Sequence, residues 1–259
     1  MLSVPTQSKT MLCKSILRIH VPGHSLTRVM NVLSRNSTGY LKVLIAPALA
    51  LMLLAQLHAQ QETFVAAGMD LYMAGGYNDR SGAHPPALYA FSAEAHRTMT
   101  FSVAGMWTCA NGSNPGYGPD GENTGDACYP RASITDPIGP FSGYELTDFT
   151  GALAGIFLED TLPVSAPPAL RFYISDSSQG GIPTDFKVLS PLIGQVFFIG
   201  DGLTGTGTGT RQEFVVPPTA TRLYLGYVDS CSSSGYTSPG CYGDNAGTLV
   251  VFIRIHDLN

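Results

Sequence analysis

Apolar residues in this chain return at every second position, in short runs cut off by Gly, Pro, Asn or Asp, and that period permits strands far more readily than helices. Met99, Phe101 and Val103 alternate with Thr98, Thr100 and Ser102, and further apolar runs lie at 152–158, 171–174, 195–199, 214–216, 222–228 and 248–255. The 29 Gly and 18 Pro among 259 residues exclude a helical bundle, because both residues break helices. The expected fold is therefore all-β: an antiparallel β-sandwich or jelly roll occupying residues 60–259 as one domain. The one helix-friendly stretch, ALYAFSAEAHRT at 87–98, is short. Residues 159–193 are richer in Pro and Ser and are expected to form an insertion or a long crossing connection.

Charge separates this body from what precedes it. The first 59 residues hold Lys9, Lys14, Arg18, Arg28, Arg35 and Lys42 and no acid, leaving eight basic and all 19 acidic groups in residues 60–259. A body with that excess of negative charge repels phosphate backbones, which excludes nucleic acid as a partner. Residues 43–57, VLIAPALALMLLAQL, are uncharged, preceded by Arg35 and Lys42 and followed by His58-Ala59-Gln60. A basic flank, an apolar run and a small exit residue make a secretory signal peptide, with cleavage expected after Ala59. Spanning a bilayer takes about 20 apolar residues, and Pro47 interrupts this shorter run, so no stable membrane insertion is expected after cleavage. Translation from Met30 would give a leader of ordinary length. The expected location is secreted, either extracellular or periplasmic.

Export makes the cysteines a disulfide framework. Cys13 leaves with the leader, and Cys109, Cys128, Cys231 and Cys241 remain, with three possible connectivities. Short loop closure favours Cys109–Cys128 and Cys231–Cys241. No Cys-x-x-Cys spacing or nearby His supports a metal reading of these residues.

Chemistry-bearing motifs are scarce. G-x-S-x-G, H-E-x-x-H, P-loop and EF-hand signatures are missing from the sequence. Residues 200–205, GDGLTG, spell G-x-G-x-x-G after a strand, but TGTGTRQEFVV follows where a dinucleotide fold needs a helix. The Thr-Gly repeat at 204–210 reads instead as a hairpin tip. His84, His96 and His256 stand in unrelated contexts, and no carboxylate pair is singled out by spacing, so no catalytic residue is assigned.

Two loops stand out. The first, CANGSNPGYGPDGENTGDAC at 109–128, carries Asp120, Glu122 and Asp126. The second, DSCSSSGYTSPGCYGDN at 229–245, joins two strongly apolar strands. Ca²⁺ takes six to eight oxygens from carboxylates, amides and carbonyls on a curling loop. Asp229 at one strand end, with Asp244 and Asn245 just before the next strand, would bring three oxygen side chains together, beside the carbonyls of the turn at 239–243. The same residue types are ordinary turn formers, which is the competing reading of this loop.

LYLGYVD and PGCYGDNAGTLVVFI resemble the last two strands and intervening loop of the soluble galactophilic calcium lectins of bacteria, and FSVAGMW, GYGPDGE and FTGALAGIFL resemble their first half in the same order. The similarity covers roughly 101–158 and 194–255. It implies a jelly-roll domain in which one Ca²⁺ ligates two sugar hydroxyls directly. It further implies that Asp229 and Asp244 contact both metal and sugar, with Ser230 beside them at the ligand. Asn245 and the backbone carbonyls of Cys241 and of a residue near Cys109 complete the metal set. The family's His and Gln that hold the sugar's exocyclic hydroxyl fall near Gly125 and Cys128, so galactose specificity is not implied. The expected function is calcium-dependent carbohydrate binding without catalysis, by a protein capable of forming homo-oligomers. The competing expectation is a structural or matrix protein of the cell envelope whose calcium only rigidifies the loop.

Overall fold

The computed structural model describes residues 60–77, 82–109, 116–121, 133–147, 151–173, 180–231 and 237–258. The leader, Gly125 and Cys128 lie outside them. Fourteen strands are described: β1 (Gln60–Ala66), β2 (Ala87–Ala90), β3 (Arg97–Thr108), β4 (Tyr144–Thr147), β5 (Ala154–Leu158), β6 (Leu170–Tyr173), β7 (Ile182–Pro183), β8 (Val188–Leu189), β9 (Val196–Phe198), β10 (Leu203–Gly205), β11 (Thr208–Arg211), β12 (Glu213–Val215), β13 (Arg222–Gly226) and β14 (Ala246–Asp257). The chain is all-β, as its periodicity requires. Among the described residues no helix is long and apolar enough to cross a membrane.

Two main sheets carry the domain. One runs β1-β14-β3-β12-β8 and the other β2-β13-β5-β9. The longest pairing joins β14 to β3, antiparallel and unbroken from Ala246 opposite Thr108 to Asp257 opposite Arg97. Along β14 the alternation is plain: Leu249, Val251 and Ile253 are fully buried, while their neighbours reach solvent. Strand β5 lacks alternation because AGIFL is buried on both faces. The sheets meet through aromatic side chains, with Phe214 of β12 5.6 Å from Phe197 beside it on β9.

One feature differs from the sequence expectation. Not all pairing is antiparallel: β12 pairs with β8 in parallel, and β4, β6 and β7 form a wholly parallel three-stranded sheet. Residues 159–193 supply β6 and β7 of that sheet and the edge strand β8 of the five-stranded one. Residues 87–98 form no helix; β2 pairs with β13 from Ala87–Leu225 to Ala90–Arg222, so tertiary pairing overrides local propensity there. The G-x-G-x-x-G stretch runs into β10, which pairs with β11 as a hairpin and leaves no helix N-terminus for a pyrophosphate.

Candidate metal centre and a second polar cleft

The 229–245 loop springs from the end of β13 and returns into β14. A disulfide between Cys231 and Cys241, with Cα atoms 5.4 Å apart, closes it, and the Gly240 amide donates to the Asp229 carbonyl at 3.1 Å. The expected local pairing is thus realised in the second loop. Cys109 is also disulfide-bonded. Because Cys231 and Cys241 are joined to each other, neither is its partner; the expected partner Cys128 lies outside the described residues.

Cys241 adopts a left-handed conformation, φ 66° and ψ 18°, and so reverses the chain into a single 3-10 turn at Tyr242–Asp244. Asn245 follows, immediately before the Ala246–Thr108 pair. That register sets Asn245 and Cys109 side by side at one end of the β14–β3 ladder. Asn245 donates from Nδ2 to the Ala67 carbonyl at 3.1 Å, while its Oδ1 is buried and makes no hydrogen bond. Asp229 is partly buried and accepts the Ser230 amide on Oδ1 at 2.7 Å. Asp244 and the Cys241 residue are exposed, and Ser230 is buried. Burial pushes the Asp229 carboxyl up to about 7, with Asp244 and Asp70 adding like-charge repulsion against the Asn245 amide and the Ser230 N–H, which favour the anion. The structure thus gathers Asp229, Ser230, Cys241, Asp244 and Asn245 in one loop and sets Cys109 beside Asn245. Among the described residues no three His, Cys, Asp or Glu side chains group to hold a metal. An ion here would depend on amide and carbonyl oxygens to complete its shell.

Beneath the loop lies a network that sequence reasoning missed. The Tyr242 hydroxyl accepts the Asp229 amide at 3.1 Å and reaches Asp70 Oδ1 and the Tyr227 carbonyl, both at 3.2 Å. Asp70 is fully buried, and its Oδ1 also accepts the Tyr72 amide at 2.8 Å, capping the short 3-10 helix Leu71–Gly75. Next to Tyr242, Tyr227 shares a 2.5 Å hydroxyl–hydroxyl hydrogen bond with Tyr117 and meets Trp107 edge-on at 4.7 Å. The order Asp-Leu-Tyr at 70–72 is a helix-capping signal; nothing in it announces a partner 172 residues away.

A second cleft opens between Asp120 and the β10–β11 hairpin. Asp120, expected to be a loop acid, is only 6% exposed. Its Oδ1 accepts the Asp201 amide at 2.8 Å, and Asp201 in turn accepts Leu203 N at 2.7 Å and Gly207 N at 2.6 Å, tying down the hairpin. Gly200 sits at φ +60° with its missing Cβ 2.2 Å from Asp120 Oδ1, so only glycine fits. Burial carries the Asp120 carboxyl up to about 6, aided by the Asp201 charge and opposed by the Asp201 amide and the Thr206 hydroxyl. Between about pH 4 and 6 the folded chain therefore keeps a proton that the unfolded chain has lost. Stabilisation from this group is complete below about pH 4 and disappears as pH rises through about 6, a change on the order of 3 kcal/mol. Asp120→Asn should flatten that slope. Urea unfolding of both proteins at pH 4.5 and 7.5 checks it, and parallel pH profiles would rule Asp120 out as the source.

Comparison with known proteins returns no matching family model, no similar curated protein and no similar solved structure.

Proposed function

We propose that the protein is exported and binds carbohydrate through a calcium ion held in the 229–245 loop, without catalysis. The supporting observation is Asn245: a buried side-chain oxygen with no hydrogen bond, at the junction where Asp229, Asp244 and the left-handed Cys241 come together. A buried acceptor without a donor is costly, and a hard cation satisfies it. The donor set is all oxygen, which suits calcium over softer metals. An ion bound there would offer open coordination positions to two neighbouring hydroxyls of a sugar. Asp229, Asp244 and Asn245 would hold it together with the carbonyls of Cys241 and of a residue near Cys109, Asp229 and Asp244 would also accept hydrogen bonds from the same hydroxyls, and Ser230 would stand at the ligand's edge. The disulfide and the Tyr242 hydroxyl keep the loop's curl in place, which limits the ordering cost of binding.

Calcium titration of the oxidised protein should give one binding event and a rise in melting temperature, as required of a ligand that binds only the folded state. At 100-fold excess over Kd the gain is about 2.7 kcal/mol. Asp244→Ala and Asp229→Asn should each abolish the shift, and a glycan array should show binding that chelator removes. No heat of calcium binding up to millimolar concentration refutes the site. Calcium binding with a silent array would favour the competing structural role, an ion that only rigidifies the loop.

A further inference from the structure

The geometry points to a second ligand site: we propose that the cleft between Asp120, the β10–β11 hairpin and the turn at Thr184–Asp185 binds one hydroxyl-rich six-membered ring, a monosaccharide or cyclic polyol, without calcium. The cavity measures about 160 Å³ and is lined among the described residues by Asp120, Thr184, Asp185, Phe198, Thr204 and Thr206 with parts of β10. That volume takes a bare six-membered ring, since an apolar cavity of about 150 Å³ accepts benzene, and the open side of the cleft leaves room for the hydroxyls that a sugar adds. The lining here is polar, so the ring must be polar too.

Asp120 gives the cleft its direction. The residue is more than nine-tenths buried, its Oδ1 is committed to the Asp201 amide, and its Oδ2 is buried with no hydrogen bond of good geometry, the Thr206 hydroxyl of the cleft wall being the donor that lies near the carboxyl. Buried polar atoms in folded proteins are nearly always paired, so this oxygen calls for a donor, and a ligand hydroxyl entering the cleft provides one. Asp185 supplies a second carboxylate at the exposed rim, and the hydroxyls of Thr184, Thr204 and Thr206 line the same wall, Thr204 already accepting the Thr210 amide and Thr206 already beside the Asp120 carboxyl. Phe198 offers an apolar wall to the ring's C–H face. None of the described lining residues is cationic, which disfavours phosphorylated, sulfated or carboxylated ligands. The walls are pre-set, because Asp201 clamps both Leu203 and Gly207 and so holds the hairpin before a ligand arrives.

The cleft shares no lining residue with the 229–245 loop, and its test is run in chelator so that the two readings fail separately. Saturation-transfer NMR on the oxidised protein with EDTA should show transfer to at least one of four probes: the methyl glycosides of glucose, galactose and mannose, and myo-inositol. Asp120→Asn, which keeps Oδ1 for the Asp201 amide, should weaken that binding about tenfold. Asp185→Asn lies at the surface, leaves the fold intact and should weaken it about threefold, while Asp229→Asn should leave it unchanged. Three results overturn the proposal: no transfer to any probe, transfer that survives both cleft substitutions, or transfer lost with Asp229→Asn.

Discussion

Replacing Gly151 with alanine should destabilise the protein by about 3 kcal/mol, combining a forbidden backbone conformation with overpacking. For a domain of this size that is a drop of about 6–12 °C in melting temperature. Gly151 sits at φ +53°, and a Cβ there would lie 1.7 Å from the Tyr227 hydroxyl and 2.1 Å from its Cζ. Tyr227 cannot give way. Its hydroxyl is hydrogen-bonded to Tyr117, its ring is packed edge-on against Trp107, and Trp107 Nε1 is itself bound to the Gly151 carbonyl at 3.1 Å. The three aromatic residues and the glycine form one closed arrangement directly below Asp229. The same shift moves the Tyr227 carbonyl that the Tyr242 hydroxyl reaches, so a calcium ion bound as proposed would be held more weakly in this variant. A thermal melt of Gly151→Ala within 2 °C of the parent, a change of under about 1 kcal/mol, would contradict this account of the packing.

Phe214→Ala should cost about 3–5 kcal/mol, the range for emptying a large aromatic site in a core that cannot collapse. Phe214 is fully buried and meets Phe101 at 5.0 Å and Phe186 at 5.6 Å, both edge-on, as well as Phe197 at 5.6 Å. Phe101 belongs to the five-stranded sheet, Phe197 to the four-stranded one and Phe186 to the segment at 159–193. One side chain therefore joins three parts of the domain, and each neighbour is itself a large ring that cannot swing into the void. Urea unfolding should show a lower midpoint with an unchanged slope. The control is Val164→Ala, at a fully exposed position, which should change stability by less than about 0.5 kcal/mol.

How much of this was legible beforehand follows from the range of each interaction. Period-two alternation is a property of neighbouring residues, so the strand at 246–257 can be read along the chain over 248–255, and that at 97–108 over 98–103, although Thr98 and Thr100 of its polar positions are buried in the fold. The Asp229–Asn245 loop is legible for the same reason: its ligand types, its cysteines and its turn all lie within one short stretch, and the disulfide that closes it spans only ten residues. The helix propensity of residues 87–98 is worth little against strand pairing, which takes 87–90 to β13 and 97–98 to β14.

Alternation says which face a side chain occupies and is silent about which strand lies beside it. The parallel pairings of β8 with β12 and of β4, β6 and β7 were therefore decided by tertiary packing, as was the incorporation of residues 159–193 into both sheets. The same holds for the two buried acids. Asp70 meets Tyr242 across 172 residues, and Asp120 meets Asp201 across 81. In sequence each is a small polar residue in a turn; only folding surrounds it with low-dielectric packing and turns it into a positioning or binding group. The all-β class, the short-range loop with its disulfide and the placement of its oxygen-bearing residues all arise between near neighbours and so stand in the residue order. Strand order, the hydroxyl network under Asp229 and the Asp120 cleft exist only once the chain is folded, because burial is created by segments that no local pattern brings together.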